Sequence, residues 1–413
     1  MYKLSSSMRI RTAEESLVLA RQVARTMGVT RVTDITWLDK IGMPVYAGIR
    51  PYAARGSLNV HNGKGLLASE AKIGAFMESI EFSLAEGKKH QHRIKKCQLK
   101  DVQASLPPGL PFSAFGTKMG ITFSQDEEVN CVEATDIISG LTALIPAELI
   151  FHPVNLEGQR SFYGGTTTNG LCSGNSLIEA VVHGVCEVLE RDVKSFDSLY
   201  HHSALVDIST EPEVVRLLRQ KVEAAGLLLA LRKTTNIWKL PFYSAFVLEP
   251  DIDSPISVAD GYGLHPDAEI AATRAITEAA QSRLTHIHGG RDDIVKRINF
   301  YQANSKLNEQ EIVSDLRRTI LSSDRITSFL DEEEFFSPPD TLDALWLGIK
   351  TRMADQDIHH CFVYELSPPG FPFSVARVVV PYAEFIESEM QRVGPRFLEA
   401  FRRKKLRFGC KDA

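Results

Sequence analysis

The pattern A-x3-(A/G)-x2-E-x2-(E/Q) occurs three times, each time within a stretch of helical periodicity, and constrains the fold more than any other feature of the chain. It falls on Ala71, Ala75, Glu78 and Glu81, on Ala180, Gly184, Glu187 and Glu190, and on Ala271, Ala275, Glu278 and Gln281. Small residues four apart bare one stripe of each helix, so another helix or strand can approach its backbone closely. Acids three apart share a helix face and project together. A glycine stands six residues before the first alanine in two copies, Gly65 and Gly174, and eight before it in the third, Gly263.

Paired like charges repel unless a cation or basic group lies between them. Phe76, Met77 and Ile80 surround the first pair, and Val185, Val188 and Leu189 the second, so neither lies on a plainly wet helix. Carboxylates beside a core need compensation by metal or arginine. If the first two helices face one another, Glu78, Glu81, Glu187 and Glu190 make a four-carboxylate cluster suited to Mg2+ carrying nucleotide phosphates, with Arg191 beside it. A structural pseudo-repeat with solvated glutamates has the same spacing.

Around these helices the pattern alternates. Thr12-Ala13-Glu14-Glu15 has capping-box spacing and opens a helix that stops near Gly28. Residues 30–36 and 44–49 read as strands, followed by a polar, glycine-containing stretch to Gly65. Long helices are expected over 69–87, 177–200 and 267–286, the last entered through His265-Pro266-Asp267. Short β-like runs fill 97–175, with strands near 227–248, 361–366 and 374–380 and an exposed acidic loop at 331–340. The fold class is α/β, in the mixed α+β sense. The domain expectation is an N-terminal helix and strands over 1–60, a catalytic domain over 61–395 continuous with it, and a basic tail over 396–413 that carries Arg402, Arg403, Lys404, Lys405 and Arg407.

A net charge of −5 gives no strong field for a nucleic-acid backbone, so no nucleic-acid partner is expected. The six cysteines are scattered without CxxC or zinc spacing, which suits reduced thiols in the cytoplasm. Cys172, Cys186 and Cys361 read as buried structural thiols and Cys410 as exposed. No apolar run approaches the roughly 18 residues that span a bilayer. The chain has neither a GxxxxGK(S/T) nor a GxGxxG phosphate loop.

The second copy, Thr168-Asn169-Gly170-Leu171-Cys172-Ser173-Gly174-Asn175-Ser176 and then Glu179 to Arg191, resembles the signature of the YcaO family of ATP-dependent peptide-backbone modifiers. So do Asn62-Gly63-Lys64-Gly65 with Glu78 and Glu81, and Gly263 to Arg283. The resemblance runs from about residue 28 to about 395. It implies a YcaO-like fold of helix–strand pseudo-repeats around a nucleotide site, with ATP and Mg2+ as cofactors. By the resemblance, Glu78, Glu81, Glu187 and Glu190 bind metal. Lys64, Asn175, Glu179, His183, Arg191 and Glu278 hold nucleotide, and Arg191, Arg274, Gln281 and Arg283 are catalytic. His183 stands where one family member carries Gln, and Phe82 where many members carry Arg.

Family members phosphorylate a backbone amide oxygen after a nucleophile adds to the carbonyl, and phosphate then leaves. Sulfide gives a thioamide, a Cys, Ser or Thr side chain an azoline, and an amine an amidine. The chain ends without the PxPxP tail common among azoline formers, and Gly28 to Asp39, Ile41 to Val45 and Arg50-Pro51 resemble most the thioamide-forming branch that works with a TfuA partner. The expectation is thioamidation of a peptide or protein substrate, with azoline or amidine formation second and a non-catalytic YcaO-like scaffold as the competing class. Two protein partners stay in view, a TfuA-like protein and a second copy of the chain.

Overall fold

A computed structural model of the chain describes residues 1–154, 160–291, 299, 303–304, 308–330, 341–387 and 389–409. The acidic stretch 331–340 and Cys410 lie outside the described residues.

The chain divides into two compact units that interleave in sequence. Residues 1–53, 58–83 and 202–341 form the first, and 54–57, 84–201 and 342–413 the second.

In the first unit, the Ala13–Ala24 helix opens on the expected capping box, Thr12 Oγ1 accepting from the Glu15 N–H while a Glu15 oxygen accepts from the Thr12 N–H. An antiparallel three-stranded sheet follows, ordered Arg31–Asp34, Val45–Ile49, Val60–Lys64. Val60–Lys64 belongs to the stretch read as polar and strandless, because His61, Asn62 and Gly63 are poor strand formers in isolation. A five-stranded sheet runs Val258–Leu264, Phe242–Leu248, Leu228–Lys233, Ala204–Val206, Ile326–Thr327, antiparallel except for the last pair. The long helix Ala268–His288 buries Ala271, Ala272, Ala275, Ile276, Ala279 and Ala280 in the core of that sheet with Leu231, Tyr243 and Ala245. Farther along, its Leu284 joins Val45, Ala47 and Val60 of the smaller sheet.

In the second unit, the strands Lys95–Gln98, Glu128–Asp136, Phe362–Glu365, Ser374–Val379 and Leu171–Gly174 lie in that order, and Thr142–Pro146 pairs with Glu128–Asp136. The long helix Leu177–Tyr200 packs on the strands Leu171–Gly174 and Ser374–Val379. Ser176 caps its start by accepting from the Glu179 N–H. The stretch expected to be a tail forms a helix, Pro395–Gly409. Arg396 holds it to Asp192 at 2.7 Å, and Glu384 accepts from the Gly394 and Phe397 N–H groups at its start. The helices Glu213–Ala224, Glu309–Leu321 and Leu342–Ala354 were not read from the sequence. Among the described residues no helix is long and apolar enough to cross a membrane.

All three repeats are the same object, a short strand followed by a helix: Val60–Lys64 with Ala68–Ala85, Leu171–Gly174 with Leu177–Tyr200, and Val258–Leu264 with Ala268–His288. The small-residue stripe is where strand meets helix. A Cβ on Gly63 would lie 2.1 Å from both Ala71 O and Ala75 N, and one on Gly263 would lie 2.0 Å from Ala271 O. In the second copy the sizes are exchanged: Cys172 occupies the strand position, and the helix answers with Gly184, whose added Cβ would meet Cys172 Sγ at 2.6 Å. The stripe thus backs each helix onto its own strand and leaves the acids on another face.

Candidate functional site

Each repeat helix carries a stripe of partly exposed polar positions, and on the second and third helices the residues around it are buried. On Leu177–Tyr200 the partly exposed positions His183, Glu187, Arg191 and Lys194 follow at spacings of four, four and three, and Val182, Val185, Cys186, Val188 and Leu189 around them are buried. Gly74, Glu78 and Glu81 are the corresponding partly exposed positions on Ala68–Ala85, and Arg274, Glu278 and Gln281 on Ala268–His288. Side chains three or four apart share a helix face, so each helix offers its polar groups in one direction.

In the second unit Glu187 is held from the loop ahead of its strand, where the Gly170 N–H donates to Oε1 at 3.2 Å. Glu190 is only 2% exposed. Glu179 lies one turn before His183, and its Oε1 accepts from the Asn175 backbone N–H at 2.9 Å and from Asn175 Nδ2 at 3.0 Å. That geometry makes Asn175 and Glu179 a cap on the helix start. The first copy repeats it with Glu70, which accepts from the Leu66 and Leu67 N–H groups and was not singled out from the sequence.

In the first unit Asn62 joins two of the repeats. Its backbone N–H donates to Glu78 Oε2 at 3.2 Å, its carbonyl accepts from Gln281 Nε2 at 2.6 Å, and its Nδ2 donates to Thr285 Oγ1 at 2.7 Å. Lys64 pairs with Glu278, so the third copy, which has Gln281 in place of a second acid, carries its own counter-cation. His61 is fully buried, with Nδ1 3.9 Å from Glu78 Oε1 and its ring tilted against Phe82 at 4.6 Å. Burial, reinforced by Arg50 and Arg291, pulls the His61 pKa down to about 3, so the ring beside Glu78 is neutral. In the sequence Asn62 stands out only as part of a motif, because a strand amide that reaches two helices has no periodic signal.

Arg274 stands on the polar stripe of the third helix, and its Nε is buried without a hydrogen-bond partner among the described residues. Arg283 is engaged elsewhere in the first unit. Its Nε reaches Asp39 at 3.1 Å and its Nη2 reaches Glu249 at 2.6 Å, all three side chains being well buried, so its guanidinium joins elements of the first unit instead of standing on the stripe.

Glu78 and Glu81 belong to the first unit, Glu187 and Glu190 to the second. Among the described residues no group of three or more His, Cys, Asp or Glu side chains is gathered closely enough to hold a metal ion.

A family model described as the ATP- and Mg2+-binding YcaO cyclodehydratase matches residues 62–384. The chain belongs to the YcaO family. Among its relatives, an uncharacterized protein of Methanothermobacter thermautotrophicus is 32% identical over 378 residues, covering 90% of this chain and 93% of its own. An uncharacterized protein in the tfuA 3' region of Rhizobium leguminosarum bv. trifolii is 28% identical over 414 residues, covering 95% and 92%. The structure of YcaO from Methanopyrus kandleri bound with AMPPCP and Mg2+ shares the fold, with a TM-score of 0.75 at 22% identity over 95% of this chain and 97% of that one.

ATP and Mg2+ are the cofactors of the YcaO family, and the donor set of this chain fits them. Mg2+ takes oxygen ligands and commonly uses one or two carboxylates, completing its shell with phosphate oxygens and water instead of an all-protein cage. The half-buried Glu78 and Glu81 on one helix face are such a set, and the unpartnered Arg274 Nε is a donor suited to a phosphate oxygen.

Proposed function

We propose that this YcaO protein activates a backbone amide of a peptide or protein substrate by transferring the ATP γ-phosphoryl group to its oxygen, and that the product is a thioamide. The observation that carries this reading is the polar stripe of His183, Glu187 and Arg191 on an otherwise buried helix, with the Gly170 N–H fixing Glu187 and the buried Glu190 three residues on. Phosphoryl transfer asks the protein mainly for positioning and charge neutralisation. Glu78, Glu81, Glu187 and Glu190 would hold Mg2+, which when bound neutralises charge on the phosphates. Arg191 and Arg274 bind phosphate oxygens, His183 lines the same stripe as Glu187, and Asn175 and Glu179 keep the helix start in place.

The chemistry balances without a protein nucleophile. Sulfide adds to the amide carbonyl carbon, the resulting oxygen takes the γ-phosphoryl group, and the C–O bond breaks as C=S forms. Amide, sulfide and ATP become thioamide, ADP and phosphate. Sulfide is favoured by the likeness of Gly28 to Asp39 to the thioamide-forming branch and by the relative in a tfuA region, which also suggests a TfuA-like partner. The cyclodehydratase description of the family favours azoline formation as the second reading. Four of the cysteines do not favour a carrier role: Cys131, Cys172, Cys186 and Cys361 are buried thiols outside any disulfide, and burial pushes the thiol pKa values of Cys131 and Cys361 far up, as suits a cytoplasmic enzyme.

Mg2+-dependent ATP hydrolysis is expected to fall at least about 100-fold in Glu187→Gln, since even outer-shell changes cost 10–100-fold in metal sites. A wild-type rate in that variant would remove the site assignment. Mass spectrometry of candidate peptides incubated with ATP and sulfide separates the products: exchange of oxygen for sulfur supports thioamidation, and loss of one water supports ring closure.

A further inference from the structure

Arg377 lies on the strand Ser374–Val379 and is fully buried. Its guanidinium donates to three backbone carbonyls: Nε to Ile150 O at 2.9 Å, Nη1 to Asn169 O at 2.7 Å and Nη2 to Thr167 O at 2.7 Å. Two of these acceptors belong to the loop that delivers the Gly170 N–H to Glu187. The next residue, Val378, completes the hold, its N–H donating to Gly170 O at 2.8 Å. Gly170 itself has φ of 76°, and a Cβ there would stand 2.2 Å from Val378 O, so the loop lies flush on the strand. At the other end His152 Nδ1 lies 2.9 Å from Thr166 Oγ1. Every carbonyl that Arg377 takes is turned toward the strand, which leaves the Gly170 N–H directed at the helix.

We propose that Arg377 is a positioning residue for Glu187: by gripping the carbonyls of Thr167 and Asn169 it sets the Gly170 N–H that orients the Glu187 carboxylate toward the nucleotide-bound Mg2+. The metal half of this statement rests on the reading of Glu187 given above. Physically, a charged donor on buried carbonyls makes strong, directional bonds, and its removal leaves those carbonyls without partners. The groups that orient a metal ligand change metal affinity about 10–100-fold when lost.

The test uses Arg377→Met and Arg377→Lys in the full chain, with Glu187→Gln as reference. Hydrogen–deuterium exchange over residues 167–171 of the nucleotide-free protein reads the loop, and Mg2+ titration of ATP hydrolysis reads the carboxylate. Expected are faster exchange at Gly170 in Arg377→Met, a rise of about tenfold or more in the Mg2+ needed for half-maximal rate with a smaller change in maximal rate, and intermediate values in Arg377→Lys. Wild-type exchange at Gly170 overturns the proposal, as does faster exchange with an unchanged Mg2+ requirement while Glu187→Gln alters it. If Arg377→Met fails to fold by circular dichroism, Arg377→Lys, which keeps the charge and a donor, decides on the same two readouts. If Glu187→Gln leaves the Mg2+ dependence unchanged, the metal reading of Glu187 fails, and the exchange data alone judge whether Arg377 holds the loop.

Discussion

Gln281 and Arg283 sit two residues apart on one helix, and that spacing separates their roles. Residues at i and i+2 point to different sides of a helix. Gln281 reaches Asn62 on the strand Val60–Lys64, and Arg283 turns to Asp39 and Glu249. Helix geometry applied to the sequence gives the split, but the two carboxylates that receive Arg283 come from positions 39 and 249, which no local pattern links to it. Arg283→Met leaves the buried Asp39 without its counter-charge, while Glu249 keeps Lys40, a change that costs about 3–5 kcal/mol. Denaturant unfolding is expected to show that loss, with ATP affinity of the folded fraction unaltered. A stable variant with impaired nucleotide binding would return Arg283 to the site. Glu78, Glu81, Glu187 and Gln281 were legible as one side of each helix because the period of 3.6 dictates it. The anchors of Glu78 and Glu187, Asn62 and Gly170, were not, because backbone N–H groups of a strand and a loop leave no mark in side-chain patterns.

At the level of elements, the alanine–glycine stripe was legible as a close approach, and strands make that approach. The exchange of sizes in the second copy was not legible, since Cys172 looks like an ordinary buried thiol until Gly184 is seen across from it. The pairing makes a prediction about coupling. Gly184→Ala alone drives a methyl into Cys172 Sγ and, at 2.9 Å, toward Val378 Cγ2. Adding Cys172→Gly recreates the arrangement of Gly63 with Ala75 and of Gly263 with Ala275. Chemical denaturation of the two single variants and the double variant is expected to give a favourable coupling of about 1–3 kcal/mol, as for residues in direct contact. Strict additivity would mean that the two positions do not form one packing unit.

For the molecule as a whole, buried histidines set its response to acid. His265 is lowered from 6.5 to about 3, first by burial and then by Arg274, and its Nδ1 accepts from the Asp267 N–H at 2.9 Å. Burial and Arg377 lower His152 to about 4. As pH falls below 6.5 the unfolded chain takes up protons at these positions that the folded chain refuses, so folding stability declines down to about pH 4. Asp136, kept low by the Cys361 N–H, Ser139 and His360 against the opposing effect of burial, contributes stability that is lost only as pH falls below its ordinary 3.8. Urea unfolding between pH 7 and 4 is expected to show a loss on the order of a few kcal/mol, with a shallower slope in His265→Asn. An unchanged slope in that variant would assign the decline to other groups. The α/β class and the three long helices were legible because long periodic segments announce themselves, whereas the placement of the acid pairs on different units depends on contacts distant in sequence. The interleaving has its own consequence. Each unit draws on stretches separated by more than a hundred residues, and the change from one to the other falls inside the Ala68–Ala85 helix, after Ser83. Truncation therefore yields no autonomous half: a fragment ending at residue 201 or beginning at 202 breaks both units at once, and only co-expressed, complementing fragments would restore either.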